Sequence, residues 1–443
     1  MPSAPLLWQK LQTASYIHPA PVMANYIVSQ DGTALFHQRL KNQITTAAKR
    51  FAKTAARSLD ALSGSEIYKD LNSPAGRRAA LICELFRNAH YISNSGSLDT
   101  TTLQYRLMET LSGDQQLVFE LGWGQAKRDA GQLRTLGASA DLAELLAIAR
   151  LIAVVKAIRL LTERSAKLRI ITGGQRFRLA LFIRPEMDSA YNLKRQAFAR
   201  WLSPDAEIEF DTIQSYWSPE EIKARLDADE SHGTPPNLTD EDFRFAFFAI
   251  DWYGVLEQGN AHGMHLPSSV TEELKTQPHA VKTDFLRSVI ALTANPAIDI
   301  RTVNPPLPHE LLQVTSDWFC EVARISADLY LRLGRITPRI PRESAHSDRP
   351  VLLTIIEKAE RADIPCIQLL GRQCGKTLPQ HLTACLQAEG GISFGPLYLL
   401  EDAVASFHIP ELSDAPLGVT TLPQTDVIKG LSRIHLFDDL ELS

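Results

Sequence analysis

The sequence predicts an α/β protein: Rossmann-like, with a mainly parallel sheet flanked by helices and with N-terminal and helical extensions. Three observations carry this. An apolar run at 116–121 leads through a loop into a long helical stretch at 139–163, then into a second strand-like run at 167–172. Strand, loop, helix, strand is the βαβ pattern, which sets the two strands parallel. The pattern continues, with a helix expected over 187–202 and a further strand over 207–213. Finally, 443 residues that are 44% hydrophobic and 22% charged suit one elaborated globular core.

Each element has its local reason. Thr45 to Leu59 reads as a surface helix with Lys49, Arg50, Lys53 and Arg57 on its polar side. Ser63–Gly64–Ser65 then breaks the chain. Residues 76–91 place Ala79, Leu81, Ile82, Leu85 and Phe86 on one helical face, and 101–111 form another helix. In the helix of 139–163, Asp141 and Glu144 sit in the first turn, where acidic groups complement the helix dipole. Leu142, Leu145, Leu146, Ala149, Ile152 and Val155 supply its broad apolar face. Gly173–Gly174 turns the chain, and Phe177, Leu179 and Leu181 alternate inward. Candidate strands follow at 351–356 and 366–370, and 391–443 alternates short apolar runs with Pro and Gly. The expected organisation is an N-terminal extension (1–65), a first part of the α/β core (66–230), a mostly helical insertion (231–345) and the remaining core with a C-terminal segment (346–443).

Composition excludes several classes. Lys plus Arg number 46 against 51 Asp plus Glu, a net charge of −5, so there is no basic footprint for nucleic acid. No run of about 18 apolar residues occurs, so no membrane span is expected. The richest stretch, 142–161, is interrupted by Glu144, Arg150, Lys156 and Arg159. The first thirty residues do not read as a signal peptide, and the five cysteines are scattered without a CxxC pair, so a cytoplasmic protein is expected.

Several motifs are near misses. Gly371 to Thr377 (GRQCGKT) resembles a P-loop, but three residues separate its glycines where four are needed, and Pro379 stands where the helix should begin. It reads as a polar turn. His262 and His265 lie in a loop without a third ligand, so no metal site is expected. Neither GxSxG nor a strand-borne GxGxxG is present, and nothing orients Cys374 and His381 as a thiol–imidazole pair. No cofactor is expected.

Residues 117–202 carry a resemblance. An apolar strand leads to a loop bearing Lys127, and Asp141–Leu142–Ala143–Glu144 opens a long helix. A strand then ends in a turn with Gly174 and Phe177, before a second helix containing Tyr191. This ordered set resembles the isocyanide (isonitrile) synthases, the pyoverdine/dityrosine biosynthesis family. There, a Phe-Pro-x-Lys-Ser-Pro-Asn loop precedes a Pro-Asp-Leu-Ala-Glu-like helix start and a Ser-Asp-Gly turn. Lys127 matches the loop lysine, Asp141 and Glu144 the acidic pair, and Gly174 the turn glycine; Leu378 to His381 is loosely similar to a later Pro-Trp-His. The departures are Arg128–Asp129–Ala130 for Ser-Pro-Asn, Gly173 for the turn aspartate, and Trp123–Gly124 for Phe-Pro.

The resemblance implies an enzyme of specialised metabolism that joins an amino-acid amine to the C2 carbonyl carbon of ribulose 5-phosphate. The small-molecule partners are then an amino acid and a sugar phosphate, and an iron/2-oxoglutarate oxygenase is implied as a partner in the same pathway. Such chemistry needs cations for phosphate and carboxylate, and acid/base groups for the amine and the sugar hydroxyls. The residues implied for substrate or phosphate binding are Lys127, Arg128, Gly174 and Arg176; those for proton transfer are Glu144, Asp141 and His381. Two other readings stay open: another α/β transferase using a nucleotide or phosphorylated donor, and a binding protein that kept the fold without the chemistry.

Overall fold

In a computed structural model, the structure describes residues 24–228 and 350–436, apart from 63–66, 88–90, 114–115, 124–126, 128–135, 137–138, 173–184, 206, 213–217, 356–361, 372–377, 396–399, 401 and 414. The expected helical insertion at 231–345, with His262 and His265, lies outside the described residues, as do Arg128, Gly174, Arg176, Phe177 and Cys374.

The chain is α/β. Its order is β1 (Ala24–Ile27), α1 (Gln30–Ala61), α2 (Pro74–Phe86), α3 (Thr100–Ser112), β2 (Leu117–Gly122), α4 (Leu142–Thr162), β3 (Ala166–Thr172), α5 (Pro185–Leu202), β4 (Ile208–Thr212), α6 (Pro219–Ala228), β5 (Val351–Leu353), β6 (Thr383–Leu386), β7 (Ile392–Gly395), β8 (Ala405–His408), β9 (Gly418–Thr420) and α7 (Gln424–Arg433). β4-β3-β2-β5 form a four-stranded sheet in which every pairing is parallel. This is the sheet that the βαβ pattern predicts, and α4 is its crossover.

A second sheet, β1-β8-β9-β6-β7, was not anticipated in the sequence. It is mixed: β1–β8 and β6–β9 pair parallel, β8–β9 and β6–β7 antiparallel. Its strands have only three or four residues, too few for alternation to stand out, and β1 pairs with a strand almost four hundred residues later.

α4 is the central element. Hydrophobic residues cover nearly its whole circumference, as expected of a helix enclosed on every side. It packs against α1, α2, α5 and β3 and reaches β6, so it lies between the two sheets. The expected surface helix at 45–59 is part of the longer α1, whose Phe36, Leu40, Ile44, Phe51, Ala55 and Leu59 enter the main core. Ser29 caps it by accepting from Gly32 N.

One expected strand is corrected. Within 366–370 only Cys366 and Ile367 make isolated bridges, to Thr354 and Ile92. The Asn94 side chain replaces a ladder neighbour, accepting from Cys366 N and donating to Ile364 O, both at 2.9 Å. At the start of the P-loop-like stretch, Gly371 adopts φ +90°, and an added Cβ there would meet Arg150 Nη1 at 3.0 Å. Among the described residues no helix is long and apolar enough to cross a membrane.

Candidate active site

The carboxyl ends of β2, β3 and β4 lie side by side, the edge at which open parallel sheets usually meet ligands. Past the end of β2, Trp123 N still donates to Ile171 O at 3.0 Å, so the ladder continues by one residue. The Trp123 ring is buried, and its Nε1 donates to Gln380 Oε1 at 2.9 Å. Lys127 follows, fully buried.

The start of α4 faces this point. Leu142 N donates to Leu417 O at 2.7 Å, anchoring the first turn to the segment before β9. Asp141 is the N-cap: its Oδ1 accepts from Ala143 N, and Glu144 Oε2 accepts from Asp141 N, both at 2.8 Å. This capping box fixes both carboxylates relative to the backbone. Lys127 Nζ then lies 2.6 Å from Asp141 Oδ2 and 3.0 Å from Glu144 Oε2. From α5, Tyr191 Oη donates to Glu144 Oε1 at 3.1 Å.

One ammonium therefore serves two carboxylates in an enclosed space, Asp141 being 3% exposed and Lys127, Glu144 and Tyr191 0%. Burial pushes the Asp141 carboxyl up; Lys127 opposes this, and the neighbouring Glu144 charge reinforces it, so the group is pushed up to about 8. Burial and Glu144 also raise the Tyr191 phenol well above its ordinary value, so it stays a hydrogen-bond donor. The resulting carboxyl changes protonation near neutrality, as a general acid or base must.

Arg195, which sequence reading did not single out, completes the cluster. It is 0% exposed, and its guanidinium carbon lies 4.8, 4.5 and 5.4 Å from the ring centres of Trp123, Tyr191 and Phe210. Nη1 donates to Trp123 O at 3.0 Å, and Nη2 donates to Asn192 Oδ1. A signal was present: Tyr191, Arg195, Phe198 and Leu202 recur at the spacing of one buried helix face, and an arginine in such a stripe is out of place.

The structure thus brings Lys127, Asp141 and Glu144 into direct contact. His381 ends a short 3-10 turn, Pro379–His381, next to Gln380, and its side chain is outside the described residues. Among the described residues no group of three or more His, Cys, Asp or Glu side chains is placed to hold a metal ion.

No family model matches the chain, and no curated protein does. Among solved structures, the PvcA protein of Pseudomonas aeruginosa is similar over 78% of this chain and 100% of that chain, at 16% identity and a TM-score of 0.44. A likeness of that degree assigns neither family nor activity.

Proposed function

We propose that the chain is an enzyme resembling the isocyanide synthases, forming a C–N bond between an amino-acid amine and the C2 carbonyl carbon of a sugar phosphate such as ribulose 5-phosphate. The observation that carries this reading is the buried cluster itself. The residues on which the sequence resemblance rests, Lys127, Asp141 and Glu144, meet at the carboxyl edge of a parallel sheet. An amine must lose a proton before it attacks a carbonyl, and the sugar hydroxyls must leave as water. A carboxyl poised near neutrality, Asp141, suits both transfers, with Glu144 as its hydrogen-bonded neighbour. Lys127 acts on these carboxylates: its charge is already matched by them, so in this reading it sets the acid/base pair and does not hold phosphate. The cytoplasm and an iron/2-oxoglutarate oxygenase acting on the product belong to the same proposal.

The test is direct. Purified chain is incubated with tyrosine or tryptophan and ribulose 5-phosphate, and the mixture is followed by mass spectrometry. Consumption of both substrates and an isonitrile mass are expected; an unchanged phosphosugar with every amino acid rejects the reading. One observation favours a second reading, a binding protein without chemistry: the capping box alone gives Asp141 and Glu144 a structural task. In that case Asp141→Asn alters stability and no turnover is found in the parent chain.

A further inference from the structure

Two buried donors at the same edge lack partners. Among the described residues Arg195 Nε makes no hydrogen bond, and neither does Thr172 Oγ1, although Thr172 is only 1% exposed. The Glu144 and Asp188 charges act on Arg195 through space, while Glu144 is hydrogen-bonded to Lys127 and Tyr191. Buried polar groups are nearly always paired, so two orphans in one neighbourhood call for a cause.

The register shows that they share a neighbourhood. Thr172 ends β3, opposite Thr212 of β4, and Ile170 lies opposite Phe210. Residues two apart on a strand share a face, so Thr172 faces the side of Phe210, whose ring lies beneath Arg195. Gly122 is opposite Ile171, so Trp123 falls in the same row as Thr172, and Trp123 is itself in contact with Arg195. Nη1 and Nη2 each spend one hydrogen on Trp123 O and Asn192 Oδ1. That leaves the Nε edge, the side-on fork that takes the two oxygens of a carboxylate.

We propose that Arg195 and Thr172 form the seat for the carboxylate of the amino-acid substrate. This rests on the function proposed above and extends it to two residues that none of the matched motifs contains. The geometry orients the substrate. Tyr191 and Arg195 are one helical turn apart on the same face of α5, and Tyr191 bonds Glu144. A carboxylate on Arg195 therefore directs its α-amine towards the Asp141–Glu144 pair. The seat suits a monoanion, since one guanidinium edge and one hydroxyl offer too few donors for a phosphate dianion.

Binding calorimetry on the full chain tests this without turnover. The probes are L-tyrosine and L-tryptophan, their decarboxylated counterparts tyramine and tryptamine, and inorganic phosphate. At least one acid binds, and its amine binds about tenfold more weakly or worse. Thr172→Val keeps the shape and removes only a hydroxyl that has no partner, so its melting temperature holds or rises while acid affinity falls about tenfold. Arg195→Lys keeps the charge, loses the fork and weakens the acid further; should it fail to fold, Thr172→Val still decides. The proposal is overturned if neither acid binds, if acid and amine bind alike, if Thr172→Val leaves acid affinity unchanged, or if only phosphate responds. Should the acid bind as described while no isonitrile forms, the seat stands and the reaction reading falls.

Discussion

The two ends of α4 carry two buried charge clusters built to opposite ratios. At the N-terminal end, one ammonium, Lys127, meets two carboxylates, and all three groups are enclosed. At the C-terminal end, the buried carboxylate of Glu207 meets two cations, Lys156 Nζ at 3.0 Å and Arg159 Nη1 at 3.2 Å, with the exposed Asp205 a further 3.9 Å from Lys156 Nζ. Ser203 Oγ also donates to Glu207, and Arg159 Nε donates to Ala166 O at 2.7 Å. Glu207 is buried, but Lys156 and Arg159 keep about a quarter of their side-chain surface in water. Burial pushes the Glu207 carboxyl up, yet the Ser203 hydrogen bond and Lys156 outweigh it and hold it below its ordinary value. Over-matched charge thus makes a clamp between α4 and β4, whereas under-matched charge makes a carboxyl that titrates near neutrality. Burial raises both carboxyls; at Asp141 it is the largest cause and the Glu144 charge adds to it, whereas at Glu207 the Ser203 hydrogen bond and Lys156 outweigh it.

The largest expected effect comes from removing the cation that bonds both carboxylates. Lys127→Met leaves two carboxylates facing each other in the interior, with an expected loss of about 3–5 kcal/mol. Lys156→Met at the other end leaves Arg159 and partial solvation, and costs about 1 kcal/mol or less. Denaturant titration of the two variants measures the contrast. Equal losses would show that the N-terminal cluster is no more enclosed than the clamp. Adding Glu144→Gln to Lys127→Met should recover part of the loss, because the coupling lies between neighbours.

Asp141→Asn addresses chemistry. If Asp141 moves the proton, turnover falls by about 10²–10⁴-fold, the range typical of a general acid or base. Stability responds with a definite sign. Asp141 is pushed up in the folded chain to about 8, so its contribution is fully present below the ordinary carboxyl range. It is lost as pH rises towards 8, because the unfolded chain gives up the proton first. Glu207 does the reverse: its contribution is present above the ordinary value of 4.5 and lost as pH falls below it. Melting temperature against pH should therefore flatten between the ordinary carboxyl value of 3.8 and about 8 in Asp141→Asn, and below 4.5 in Glu207→Gln. Unchanged profiles would mean that neither group titrates differently on folding.

The same contrast governs how much was legible in the sequence. The α/β class, the crossover helix and its strands follow from periodicity, because β2, α4 and β3 are long enough to show it and consecutive in the chain. Lys127, Asp141 and Glu144 were readable as an ordered motif, and Asp141 as a helix-start residue. Their mutual contact was not readable, since it depends on where the fold sets Lys127 relative to the first turn of α4. Arg195 hid within an otherwise ordinary amphipathic helix. Glu207, at the expected start of β4, was indistinguishable from a solvated strand-end charge, because its partners come from the far end of α4. The second sheet escaped for want of length, and its parallel pairings join segments far apart in the chain.

The smallest effect compares single hydroxyls. At each end one hydroxyl donates to the buried carboxylate, Tyr191 to Glu144 and Ser203 to Glu207. Ser203→Ala leaves Glu207 with Lys156 and Arg159, so the remaining donors close around it, and the loss is about 1 kcal/mol. In Tyr191→Phe the ring still packs beneath Arg195, but Glu144 Oε1 loses the donor that served it, while Oε2 is already shared between Lys127 Nζ and Asp141 N. Arg195, over the ring, acts on Glu144 only through space, so the phenol is not directly replaced and the expected loss is about 2 kcal/mol. Chemical denaturation resolves that difference. A Ser203→Ala loss equal to or greater than that of Tyr191→Phe would mean that the clamp, and not the N-terminal cluster, is short of donors. The assignment of proton chemistry to Asp141 and Glu144 would then lose its electrostatic basis.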